Sequence, residues 1–183
     1  MKYNLPHTIE NGHGEKVIFK EIITEPDGDK VLVSGYCQPK AGPAMHVHYL
    51  QDEGFTVVKG KLGYRILNKE PVYCKVGETI IFTRNTPHCF WNAGEDELEI
   101  SGWVKPVDNV IFCLSALYDA MQRGKGGKPE TFDGAFILMR YKNEYGMSEV
   151  PLLVKKVIIP FTYFLGKLLG KYKKFSNAPA PIK

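Results

Sequence analysis

Up to about residue 105 the apolar positions come in short runs rich in β-branched and aromatic side chains. Residues 16–23, 30–36, 54–58, 62–67, 79–83, 89–91 and 98–103 are such runs, and their composition predicts strands. Turn signals separate them: Pro26-Asp27-Gly28, Pro39 to Pro43, Lys59-Gly60-Lys61, Asn68 to Pro71, Arg84 to Pro87 and Asn92-Ala93-Gly94. Strands this short and evenly spaced predict a sandwich or a barrel. After Pro106 the period changes. Val107, Val110, Ile111, Leu114, Leu117, Tyr118 and Met121 recur at helical spacing, with Pro106 suited to the first turn and Gly124 to the stop. A glycine-rich loop from Arg123 to Pro129 follows, then a second helix expected from Ala135 to Tyr145. In the last segment Phe161, Phe164, Leu165, Leu168, Leu169 and Tyr172 share one helical face, while Lys167, Lys171 and Lys174 lie largely off it.

Composition narrows the picture. Of 183 residues 44% are hydrophobic, which excludes wholesale disorder and allows one ordinary domain with an appendage. The net charge of +4 conceals an asymmetry, because residues 150–183 hold seven lysines and no acid. The preceding 149 residues hold 17 basic and 20 acidic side chains, so the folded body is slightly acidic and does not suit nucleic acid. Cys37, Cys74, Cys89 and Cys113 form no CxxC pair, and the opening residues lack an apolar signal-peptide core. Free, mostly buried thiols in a reducing cytoplasm are expected.

Candidate chemistry concentrates in His46-Val47-His48, Glu53 and His88. Alternate side chains of a strand share a face, so His46 and His48 point the same way and can share one ion. Glu53 is five residues past His48, an odd step, so a bend or bulge around Leu50 to Asp52 must return it over the same ion from the next strand. Three imidazoles and a carboxylate suit Fe, Mn, Co, Ni, Cu or Zn as divalent ions, and suit Ca²⁺ or a thiolate cluster poorly. His7 and His13 fall outside this set and read as surface loop positions. Met45, Phe55, Tyr64, Ile66, Phe82, Phe90 and Trp103 are the inward candidates near it. Such a lining selects a small apolar or aromatic substrate, although each residue also reads simply as core. Cys89 should face away from His88 by alternation.

His46-x-His48-x4-Glu53-x6-Gly60 and Gly77-x10-His88-x3-Asn92 resemble the two cupin motifs in spacing. Thr83 stands where proline is usual and Asn85 where glycine is usual; Gly42 lies near the first motif's leading glycine. Asn tolerates positive φ better than most residues, so the turn can survive. The resemblance implies a mainly β fold, a double-stranded β-helix (cupin jelly-roll barrel) with C-terminal α-helices. Residues 1–106 would form the barrel with its N-terminal strands, and residues 107–183 a helical extension packed on the barrel or on a second subunit.

The same resemblance implies one divalent transition metal held by His46, His48, Glu53 and His88, and a homodimer. Similarity to quercetin-dioxygenase-like cupins further implies an oxygenase acting on a phenolic, enolic or diketone-type substrate, with Glu53 taking its proton; Tyr64 is the inward candidate to donate a proton or hydrogen bond to a metal-bound ligand. A non-redox isomerase or lyase and a non-catalytic ligand-binding barrel are the alternatives. The first of these needs basic side chains inside the barrel; Arg84 is one candidate, and Arg65 should face outward. For the lysine-rich segment 151–175 the expected role is packing of its apolar stripe on the barrel or a second subunit. Peripheral contact with anionic lipid is the other option. Pro160 and an uncharged run of only ten residues, Val157 to Gly166, exclude a bilayer span of ~20 residues.

Overall fold

The computed structural model describes residues 3–182. Among these residues eleven strands form two antiparallel sheets. The first has the order β1 (His7–Glu10), β2 (Glu15–Ile23), β3 (Lys30–Cys37), β10 (Leu98–Lys105), β5 (Asp52–Lys59), β8 (Thr79–Phe82). The second runs β11 (Tyr145–Met147), β4 (His46–His48), β9 (His88–Asn92), β6 (Leu62–Ile66), β7 (Val72–Cys74). From β4 onward the chain passes back and forth between the sheets, winding them into a double-stranded β-helix. Alternation along each strand feeds one shared core. Phe19, Val31, Leu62 and Leu98 are fully buried there, joined by Phe55, Val57, Ile100 and Val104.

The helices come last. The first, α1 (Val110–Arg123), buries Val110, Ile111 and Tyr118 in the barrel core. It starts later than periodicity predicts, because β10 runs on to Lys105 and the Val107 N–H donates to Asp29 O at 2.8 Å. Pro106 and Val107 therefore belong to a connection. The second helix, α2 (Thr131–Arg140), is capped by Glu130, whose carboxylate accepts from the Asp133 N–H at 2.9 Å. It ends five residues before Tyr145, where a helix was expected to continue. Tyr145–Met147 instead form β11, pairing Tyr145 with His48 and Met147 with His46. The open edge of β4 has backbone groups to satisfy, and this pairing satisfies them. The extension is thus not wholly helical, and it contributes a strand to the barrel.

A π-helical stretch, Val154–Ile158, runs into α3 (Ile159–Leu168). Pro160 lacks an N–H and its ring crowds the carbonyl four residues back; the widened turn relieves that conflict. A second cluster of Phe112, Cys113, Phe136, Ile137 and Tyr141 holds the helices together. His7 corrects an expectation: it lies half-buried within β1, its Nε2 3.0 Å from Ser115 Oγ, rather than in a loop. His13 is in an exposed bend. All four cysteines are free thiols.

Gly42 joins β3 to β4 where the chain crosses β9. Lys40 N donates to Asn92 O at 3.0 Å and Asn92 N to Ala41 O at 2.9 Å. A Cβ on Gly42 would lie 2.0 Å from Phe90 O and 2.7 Å from Trp91 Cα, and backbone atoms in a paired strand cannot retreat. Gly42→Ala should therefore cost about 3 kcal/mol of stability, read as a lower chemical-denaturation midpoint. An unchanged midpoint would contradict this close approach.

Candidate metal centre

The two sheets contribute unequally to one cluster. His46 and His88 sit directly opposite each other in the β4–β9 ladder, so their side chains share a face, and His48 follows two residues on. Glu53 comes from the other sheet, one residue into β5. Between them Tyr49, Leu50 and Gln51 carry the chain across from sheet to sheet, which restores Glu53 to the inner side. The Asp52–Arg84 ion pair at 2.7 Å and the Arg84 N–H to Asp52 Oδ1 bond at 2.7 Å pin this crossing to the turn before β9.

That turn contains the departures from the motif. Asn85 adopts φ 63° and donates its N–H to His48 O at 2.7 Å, so asparagine takes the left-handed position that glycine would otherwise fill. Thr86 O then accepts from His88 Nδ1 at 2.8 Å, as Ala44 O does from His46 Nδ1 at 2.8 Å. These two bonds fix the ring orientations and present both Nε2 atoms to the interior. His48 differs: its Nδ1 is buried without a partner, and the Tyr145 ring stands edge-on to it at 5.3 Å. The Tyr145 hydroxyl is likewise buried and unpartnered.

The donors converge on one oxygen. Glu53 Oε1 lies 3.9 Å from His46 Nε2, 3.7 Å from His48 Nε2 and 2.5 Å from His88 Nε2. Donor atoms of His46, His48 and Glu53 fall within 4.8 Å of one another, the spacing of groups able to hold one ion. His88 joins them through a short hydrogen bond between its Nε2 and Glu53 Oε1. Side-chain exposure falls from 20% at His46 through 10% at His48 to 2% at His88. The cluster therefore opens to solvent at its His46 end.

Burial, reinforced by the neighbouring His48, lowers His46 from its ordinary 6.5 to about 4. Burial lowers His48 as well. Burial works to raise the Glu53 carboxyl, but His48, the hydrogen bond from His88 and His46 outweigh it and hold Glu53 well below its usual range. Neutral imidazoles and an ionised carboxylate are the forms that ligate a metal. The donor set thus fits the divalent transition ion that its chemistry implies.

The expected lining residues fare differently. Phe82 lies flat on His88, ring centroids 3.8 Å apart and planes 3° from parallel. Phe55 and Phe90 pack together at 5.2 Å, and Tyr64 meets Phe82 at 5.6 Å. Ile66 is opposite His88 in the β6–β9 ladder, and Tyr64 opposite Phe90. These five surround the inner side of the cluster, and Phe55 and Phe82 are also fully engaged in the core. Trp103 is a correction. Leu98, Ile100 and Val104 of β10 face the core, so Trp103 takes the opposite face, where its indole covers Gly54. Met45 is buried just before β4, out of register with the imidazoles. Cys89 pairs across from Arg65 on the outer face, as alternation predicts. Tyr145 is the residue that motif reading misses; it is 97 positions from His48 and reaches it only because β11 docks on β4.

Two measurements follow from this geometry. Glu53→Ala and His48→Ala should each lower metal affinity about 100-fold or more, read by elemental analysis of protein purified without chelator, and retained metal would exclude these ligands. In metal-stripped protein the unfolded chain binds a proton at His46 below about 6.5 and the folded chain only below about 4. Stability should therefore rise with pH across that window and fall on acidification through it. Denaturant midpoints at several pH values check this, and a flat profile would contradict it.

The cupin domain family matches residues 36–104. No curated protein matches the chain. Among solved structures, a double-stranded β-helix protein from Klebsiella pneumoniae is 20% identical, with a TM-score of 0.42, over 59% of this chain and 84% of that one. A predicted oxalate decarboxylase from Thermotoga maritima is 18% identical, with a TM-score of 0.44, over 54% and 90%. A sugar phosphate isomerase of the cupin superfamily from Silicibacter pomeroyi is 16% identical, with a TM-score of 0.44, over 51% and 60%. The matched span includes all four donors, both motif glycines and the strands from β4 to β9. Residues 36–104 match the cupin domain family, and that span folds here as the central strands of a double-stranded β-helix.

Proposed function

We propose that this domain is a metal-dependent oxygenase acting on a small apolar or aromatic substrate with an enolic or phenolic hydroxyl. The observation that carries the reading is the contrast between the donors and their surroundings. Three imidazoles and a carboxylate are backed by Phe55, Tyr64, Ile66, Phe82 and Phe90, and no lysine or arginine among the described residues is buried. The two basic side chains of this region are committed elsewhere, Arg65 to Glu149 at 2.6 Å and Arg84 to Asp52 at 2.7 Å. A phosphorylated or polycarboxylate substrate would lack a cationic side chain to meet it there. An uncharged, flat substrate entering at the His46 end meets apolar rings.

His46, His48, Glu53 and His88 would hold the ion. When bound, it supplies Lewis acidity and a redox-capable centre for dioxygen, the co-substrate of this reaction class. The chain's own contributions are proton handling and exclusion of water. Glu53 is the ionised carboxylate of the cluster, its Oε1 2.5 Å from His88 Nε2, and would accept the proton of the substrate hydroxyl. The aromatic rings behind it keep the inner side dry. Tyr64 lies on the same face of β6 as Ile66 and would donate toward a substrate oxygen.

Oxygen uptake by iron-, manganese- or nickel-loaded protein on a panel of flavonoids and diketones tests this. Uptake that disappears in Glu53→Gln is the expected result. Anaerobic turnover with zinc would instead establish an isomerase or lyase. A compound that raises the melting temperature and is recovered unchanged with every metal would establish a binding module.

A further inference from the structure

The helical segment from Leu152 to Leu168 turns its most apolar face outward. Leu153, Val157, Phe161, Phe164 and Leu168 recur at steps of three and four, and Leu153 is 66%, Phe161 64% and Leu168 69% exposed. Leu152, Ile158 and Leu169 widen the exposed stripe. A contiguous apolar surface of this kind marks an interaction site.

Its outward orientation is held in place from behind. Tyr163 and Tyr172 stack on each other at 5.3 Å and both meet Phe136 of α2, while Phe175 stacks on Phe136 at 4.2 Å. Lys174 reaches buried Asp133 at 2.5 Å. Beyond it the chain is tied down again, Tyr141 OH donating to Pro179 O at 2.9 Å and Ile182 N to Glu144 Oε1 at 3.0 Å. Rolling the helix to bury its stripe against the barrel would break these contacts.

We infer that this face docks on an anionic lipid surface, with the helix lying in the plane of the interface. Charge complementarity selects the occupant. Lys156 and Lys167 flank the stripe by helical spacing and, like Lys155 and Lys173, make no ion pair among the described residues, and residues 150–183 contain no acid to oppose them. Aromatic and leucine side chains on one face with lysines beside them are the composition of an interfacial helix. A second copy of this chain fits poorly, since a two-fold contact would bring two lysine rows together without a carboxylate between them. The helix is ~25 Å long, and no helix among the described residues is long and apolar enough to cross a membrane. The acidic body and the basic tail together orient the molecule tail-first toward negative charge.

Co-sedimentation of the full chain with vesicles of phosphatidylcholine, alone or mixed with phosphatidylserine, tests the inference. Binding should require phosphatidylserine and fall at least ~10-fold in high salt as the charges are screened. Lys156→Gln with Lys167→Gln should weaken it ~5-fold per lysine, and F161S/F164S/L168S should abolish it. Metal content and circular dichroism, unchanged in these variants of exposed residues, confirm that each is folded. Binding that ignores phosphatidylserine or salt overturns the inference, as does no binding to either vesicle. So does a soluble dimer that F161S/F164S/L168S splits into monomers while no form binds vesicles.

Discussion

An ionised carboxylate inside an apolar barrel persists only where donors or cations surround it, and the arrangement about Glu53 follows from that constraint. Its Oε1 faces three Nε2 atoms supplied by the opposite sheet. For those nitrogens to arrive together, His46 must pair with His88 in register, and His48 must be followed by a crossing that delivers Glu53 from β5. A one-residue slip in either strand would turn its donors to the wrong face. The Asp52–Arg84 pair, the Asn85 turn and the close backbone approach at Gly42 all lie on these two connections. They serve the register, and through it the site.

The segment outside the matched family span is part of the same structure. By adding β11 to the free edge of β4, it backs the strand bearing His46 and His48 and sets Tyr145 against His48. It also explains why α2 stops where it does, since the residues after Arg140 are needed to reach that edge. From there the chain leaves the barrel and builds its own cluster around Phe136, with the apolar stripe of the last helix left facing outward. The candidate metal site and the lysine-flanked helix therefore lie only a short stretch of chain apart, joined through β11.

Charge is partitioned in a way that bears on chemistry. The buried charged and polar groups are histidines, acids, amides and a serine, while arginines and lysines remain on the periphery with acidic partners or in solvent. That separation gives the cluster an aromatic inner wall and leaves its contact with solvent to the His46 end. The rings there do two jobs at once. Phe82 and Phe55 fill the core, and Phe82 also fixes the plane of His88.

Local signals determined much of this protein. Period-2 runs, turn dipeptides and the spacing of His46, His48, Glu53 and His88 were enough to assign a β-barrel and its four candidate donors, because those features act over a few residues at a time. Asn85 in a left-handed turn and Cys89 on the outer face were likewise readable, from backbone sterics and alternation. The short strands β1, β7 and β11 were not, since each exists as a strand only through the partner it pairs with. Trp103 was misplaced because composition names a lining candidate while register decides which face it takes. Tyr145 against His48, and the outward turn of Phe161, Phe164 and Leu168, depended wholly on tertiary structure. An amphipathic pattern states that a helix has an apolar face; only the packing of Tyr163 and Tyr172 on Phe136 decides where that face points.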